Sequence, residues 1–257
     1  MGSTRITIVQ LEEGAADPHE NLRQMEREIR ANAASDLIVF PELAVHGHEW
    51  VEEHGSPIQA LRGVGEGDTL ALDRTIAECG TSVVYGKLLY LADQLHNLAT
   101  FSNGRDHVSY AKTHVHWSER FTPGATFPIA RQWKAPLGML ICFDAAFPEV
   151  PRLLALQGAE VIVNISAIPA SFDLKHVHRR LVACSVQNQV FTIFANRAGE
   201  GFRGGSAVVD PRGDVVALAG ERGTLTVDID LDEVRRWREE EPIFVHRRPE
   251  IYGDLAR

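Results

Sequence analysis

The stretch GMLICFDAAFPE, Gly138–Glu149, runs from an apolar segment into a turn and then a helix start. Leu137 to Phe143 carries no charge, the pattern of a strand buried on both faces. Pro148 then opens PEVPRLLALQG, which reads as a helix. Strand, turn and helix in that order form the repeating unit of an α/β fold. The unit recurs on both sides. Upstream, RITIVQL reads as a strand and PHENLRQMEREIRANAAS as a helix, with Asp17 as N-cap and Pro18 at the first position. DLIVF is a short strand that stops at Pro41. Downstream, AEVIVNISA is a strand and SFDLKHVHRRLVACSVQNQ a longer helix.

Between these units, Asp68 to Gly80 reads as a helix capped by Asp68 and closed by Gly80. A meander of SVVYGKLLYLA, QLHNLATFS and DHVSYAKTHV follows, with turns at DQ and NGRD. VFTIFANRAG, GGSAVVDPRGDVVALAG and GTLTVDID return to strands; LDEVRRWREEEP is a helix and residues 242–257 an extended arm. No linker, repeat or low-complexity segment interrupts the series. Residues 1–257 therefore read as a single α/β domain, with helices covering a two-sheet or mixed-sheet core.

The chain has 257 residues, 44% hydrophobic and 24% charged, which is ample to build a core. A net charge of −9 argues against nucleic acid or an anionic membrane as partner. No apolar stretch is long enough to span a bilayer, and MGSTRITIVQLEEG enters a strand pattern with no signal-peptide layout. Cys79, Cys142 and Cys184 are odd in number and irregular in spacing, so a reducing cytoplasm is expected rather than a disulfide framework.

Three strand ends carry chemistry. Glu42 follows LIVFP, at the edge of an apolar run where a carboxylate is partly desolvated, which suits a general base. Val108, Tyr110, Lys112 and His114 alternate onto one strand face, and Glu119 lies within reach of Lys112. Cys142 ends its strand where backbone N–H groups and a helix start favour thiolate. Singly, each has an ordinary reading: a surface Glu, an edge-strand Lys, a small buried Cys. Together they supply a thiol nucleophile, a base, and a cation for a tetrahedral oxyanion, with the Phe143 N–H as a second donor.

Other signals are weaker. The pairs His46/His48, His114/His116 and His176/His178 invite a metal reading, and on a strand His114 and His116 would share a face. The Glu–Lys–Cys set explains more, so no metal is expected. Gly63 to Asp68, GVGEGD, lacks phosphate-loop spacing and reads as a turn before a helix. Trp50, His116 and Trp117 either line a pocket or are ordinary loop residues. Cys79 and Cys184 are structural, and Asp144 and Arg197 orient turns.

FPEL with Glu42, YAKTH with Lys112 and ICFDAAFPE with Cys142, supported by ERFTPG, ANRAG, GGSAVVDPRG and RRPEIY, make the chain resemble the nitrilase, or carbon–nitrogen hydrolase, superfamily. The resemblance runs over essentially the whole chain. It implies a four-layer αββα sandwich, hydrolysis of amides, N-carbamoyl compounds or nitriles without metal or organic cofactor, and pairing into a homodimer or higher homo-oligomer. It implies Cys142 as nucleophile, Glu42 as general base, Lys112 as stabiliser of the tetrahedral intermediate and Glu119 as accessory carboxylate.

Two features depart from many members. The segment from Glu119 to TPG is short, and Ala145 and Ala146 stand where carbamoyl-amino-acid hydrolases carry arginines that grip a carboxylate. The short chain, CFD rather than CWE at the cysteine, and ANRAG resemble the amidase branch. The expected substrate is a small neutral or amine-bearing amide. N-carbamoyl-amine hydrolysis, nitrile hydrolysis, acyl transfer and a non-enzymatic regulatory role are the alternatives.

Overall fold

The computed structural model describes residues 2–12, 17–47 and 66–256. Strands β1 (Thr4–Gln10), β2 (Leu37–Val39), β3 (Ser82–Leu91), β4 (Gln94–Ser102), β5 (His107–Ala111) and β12 (Gly223–Ile229) form one sheet, in the order β12-β1-β2-β3-β4-β5. Strands β6 (Ile129–Ala130), β7 (Leu137–Ile141), β8 (Val161–Ser166), β9 (Phe191–Asn196), β10 (Ala207–Val209) and β11 (Val215–Leu218) form the other, in the order β11-β10-β9-β8-β7-β6. Each sheet has a parallel centre, β1-β2-β3 and β7-β8-β9, flanked by antiparallel strands.

Side-chain alternation sets the layers. Ile6, Ile8, Leu37 and Val39 meet Met139, Ile141, Val163, Ile165 and Ile193 in one core between the sheets. Their neighbours Val9, Ile38 and Phe40 face outward, onto helices α1 (Pro18–Ala31) and α2 (Glu66–Cys79). In α1, Leu22, Met25 and Ile29 form the buried stripe, and Asp17 caps the helix by accepting from the His19 N–H at 3.0 Å. On the second sheet, Leu140 and Ile162 face α3 (Glu149–Leu156), and Phe194 faces α4 (Leu174–Asn188). Helix α5 (Asp232–Glu240) follows β12. The result is the expected αββα sandwich.

Several local expectations need correction. Strand β5 stops at Ala111, so His114 leaves the strand face on which alternation would put it. Helix α2 begins at Glu66, which puts Asp68 inside the helix rather than at its cap. The first meander turn is Ala92–Asp93, both left-handed at φ 49° and 62°, not Asp93–Gln94. Two residues of β6 are too few to leave a periodic signal. The C-terminal arm is not extended throughout: it holds 3₁₀ turns at Pro249–Ile251 and Gly253–Ala256. His48, Trp50 and Gly63 to Gly65 lie outside the described residues.

Candidate active site

Glu42 sits just past β2 in a turn where Leu43 is left-handed, at φ 54°. Two distant residues hold that turn. Arg197, buried after β9, donates to the Glu42 carbonyl at 3.2 Å and the Leu43 carbonyl at 2.9 Å. Gly86 of β3 lies directly beneath. A Cβ there would overlap the Leu43 nitrogen and stand 2.8 Å from Glu42 Cα, so only glycine fits. Gly86→Ala is therefore expected to cut kcat by about 100-fold through displacement of Glu42. Steady-state kinetics beside a thermal melt would check this; wild-type kcat would refute it.

Lys112 is the first residue beyond β5. Its N–H donates to the Asn97 carbonyl at 2.9 Å, and its carbonyl accepts from the Gly124 N–H at 2.8 Å. Its ammonium crosses the gap between two carboxylates, donating to Glu42 Oε1 at 3.0 Å and Glu119 Oε1 at 2.7 Å. Glu119 Oε2 accepts from the His116 N–H at 2.9 Å, which fixes the short loop over the site. Glu42 takes two further donors: Asn97 Nδ2 on Oε1 at 2.7 Å and the Ala167 N–H on Oε2 at 3.0 Å.

Cys142 opens a 3₁₀ turn, Cys142–Ala146, and is itself left-handed at φ 48°. Its N–H donates to Asn164 Oδ1 of neighbouring β8 at 2.9 Å. Buried Asp144 ties this turn to the loop after β5. It accepts from the Ile141 N–H at 3.0 Å, Tyr110 Oη at 2.8 Å, Thr113 Oγ1 at 3.1 Å and the His114 N–H at 2.9 Å. Asp144 and Arg197 thus orient turns, as read from the sequence.

The electrostatics reverse one expectation. Burial, with Glu42 and Glu119 nearby, pushes the Cys142 thiol well above its usual range, against the opposing pull of Lys112 and the Ala167 N–H. The resting group is a thiol, not the thiolate that a helix start would favour. Burial by itself would pull the Lys112 ammonium down. Glu42 and Glu119 outweigh it and hold the ammonium above the ordinary lysine range, so it stays charged.

Phe143, His116 and Trp117 come together beside these groups. The His116 and Trp117 rings lie 3.7 Å apart, and both meet Phe143 edge-on, at 5.0 and 5.6 Å. Trp117 is 83% exposed, so its ring is rim rather than core. Ala145 and Ala146 are half-buried in the 3₁₀ turn.

His114 and His116 do not form a metal pair: His114 Nδ1 contacts Asp144 Oδ1 at 3.2 Å, whereas His116 Nδ1 contacts Ser118 Oγ at 2.7 Å. On α4, His178 Nε2 is bonded to the Gly205 carbonyl. His46 is buried, accepts from the Leu88 N–H, and has its pKa pushed by burial down to about 3, so it stays neutral. No group of three or more His, Cys, Asp or Glu suited to a metal occurs among the described residues. Asn97, Asn164 and Gly86 escaped the sequence reading. Each acts on a partner distant in sequence, and the only local hint is a polar residue or a glycine inside a strand.

The carbon–nitrogen hydrolase model matches residues 5–239. The chain belongs to the carbon–nitrogen hydrolase family. A nitrilase of Pyrococcus abyssi is 29% identical over 96% of this chain and 98% of its own length. An (R)-stereoselective amidase of Pseudomonas sp. is 30% identical over 97% and 93%. Among solved structures, a carbon–nitrogen hydrolase of Helicobacter pylori superposes with a TM-score of 0.87 at 21% identity, covering 99% of this chain and 98% of that one. A cysteine-to-alanine mutant of the Nesterenkonia amidase superposes at 0.77 with 26% identity, over 93% and 96%. This carbon–nitrogen hydrolase is a cysteine-dependent enzyme of the amidase and nitrilase kind.

Proposed function

We propose that the enzyme hydrolyses a small neutral or amine-bearing amide to carboxylate and ammonia, with Cys142 as nucleophile. The observation that carries this reading is the Lys112 ammonium, buried between Glu42 and Glu119 at 3.0 and 2.7 Å. Glu42 takes the thiol proton as sulfur attacks the amide carbon. The oxyanion that forms is stabilised by Lys112 and by the Phe143 N–H, in the first turn of the 3₁₀ segment, where intrahelical partners are lacking. The proton on Glu42 passes to the leaving nitrogen, ammonia departs, and a thioester remains. Water, activated by Glu42, attacks the thioester and releases the acid. Glu119 holds Lys112 in register throughout.

The proposed substrate class rests on the walls of the site. Ala145 and Ala146 offer no bidentate grip for a carboxylate, and the rim rings of His116, Trp117 and Phe143 suit an apolar or cationic group. The test is an ammonia-release panel of aliphatic and aromatic amides, amino-acid amides, N-carbamoyl-D-amino acids and nitriles. Turnover of neutral or amine-bearing amides is expected to exceed that of carbamoyl amino acids by at least about 10-fold in kcat/KM. Preference for the carbamoyl acids would overturn the assignment.

The acting unit is taken to be residues 1–257 as a single domain, because the inter-sheet core draws on strands from both halves. A homodimer or higher homo-oligomer is proposed from the largely apolar cleft lined by Leu156 of α3 with Arg238, Pro242, Phe244 and Val245. Three free cysteines suit a cytoplasmic location. No helix among the described residues is long and apolar enough to cross a membrane.

A further inference from the structure

We propose that Asn97 is a positioning residue that locks Glu42 and Lys112 into one unit and leaves Glu42 Oε2 as the atom that takes the thiol proton. The inference rests on the reading of Cys142 as nucleophile and Glu42 as base.

Asn97 lies in β4, fully buried, and reaches both partners at once. Its side-chain Nδ2 donates to Glu42 Oε1 at 2.7 Å, while its backbone carbonyl accepts the Lys112 N–H at 2.9 Å. The orientation of the amide follows from its neighbours. Asn97 Oδ1 is buried with no hydrogen-bond partner among the described residues. The flipped amide would set that oxygen against the Glu42 carboxylate instead. The side chain thus leaves an acceptor unmatched in order to aim a donor at Glu42.

The consequence is an asymmetric carboxylate. Among the described residues, Oε1 receives two donors, Asn97 Nδ2 and Lys112 Nζ, and Oε2 receives one, the Ala167 N–H. Oε2 is therefore the oxygen with a lone pair to spare, on a carboxylate close enough to Cys142 to act on its thiol. The groups facing Glu42 are Asn97, Lys112 and Ala167 directly, with Glu119 joined to Lys112, Cys142 close by, and Arg197 on the Glu42 backbone carbonyl.

Asn97→Ala removes the donor; Asn97→Asp keeps the shape but brings a third carboxyl against Oε1. The probe is iodoacetamide, itself a small amide, which alkylates sulfur and expels iodide. Alkylation of the Cys142 peptide is followed by mass spectrometry from pH 4 to about 9, with Cys79 as internal reference and a melt of each variant. Asn97→Ala is expected to slow alkylation of Cys142 by about 10- to 100-fold. Asn97→Asp is expected to move the acid limb of the rate profile up by about one pH unit, because a further carboxyl then adjoins the cluster that Lys112 holds together. A merely structural asparagine would leave that limb in place. Wild-type alkylation in Asn97→Ala, or an unmoved limb in Asn97→Asp, would overturn the proposal; if the alanine variant fails to fold, the aspartate variant decides. Wild-type Cys142 reacting no faster than Cys79 at any pH would instead overturn the reading of Cys142 as nucleophile.

Discussion

Cys142→Ser is expected to lower ammonia release by about 10⁴-fold or more, with the melting temperature within a few degrees of wild type. The two halves of this expectation have separate causes. Structurally the change is small: sulfur becomes oxygen on a half-buried side chain, and the backbone N–H keeps its 2.9 Å bond to Asn164. Chemically it is severe. Burial and two nearby carboxylates already oppose ionisation of the thiol. A hydroxyl in the same place is intrinsically far less acidic, so Glu42 gains almost no alkoxide from it. The check is ammonia release by purified wild-type and variant protein on the best amide of the panel, beside a thermal melt. Retained turnover would remove Cys142 from the reaction.

Lys112→Met is expected to abolish turnover and also to destabilise the fold, by about 3–5 kcal/mol. Lys112 and Glu42 are almost wholly buried, and Glu119 is only partly exposed. Removing the ammonium leaves the two carboxylates facing each other across a desolvated gap. Methionine fills the volume and supplies no charge. The pH dependence has a definite sign. The folded protein holds the Lys112 proton more tightly than the unfolded chain does. The lysine's contribution is therefore complete at neutral pH, and is lost only as pH rises above about 10.4, the ordinary lysine value, toward the raised folded one. Urea unfolding of both proteins at pH 7 measures the difference. A variant as stable as wild type would mean that the carboxylates take up protons or water at no cost.

Much of this architecture was legible because it is local and periodic. The apolar runs in RITIVQL and DLIVF mark buried strands, and Asp17 with Pro18 marks where α1 begins. A proline or a turn after an apolar run marks the strand ends that bear Glu42 and Cys142. Legibility failed where periodicity ends. His114 continues the alternation of Tyr110 and Lys112, yet β5 stops at Ala111, and the His114 N–H goes instead to Asp144, thirty residues away.

The sequence by itself determined the succession of buried strands and helices and the presence of a thiol, a carboxylate and a cation at strand ends. Those features follow from short-range pattern and from side-chain chemistry. The tertiary structure alone decided that burial opposes ionisation of the thiol, that Lys112 is shared between two carboxylates, and that Asn97 and Gly86 hold Glu42. Each of these depends on desolvation or on contact between residues far apart in the chain. The distance from Asn97 to Glu42 is 55 residues along the sequence and 2.7 Å in space.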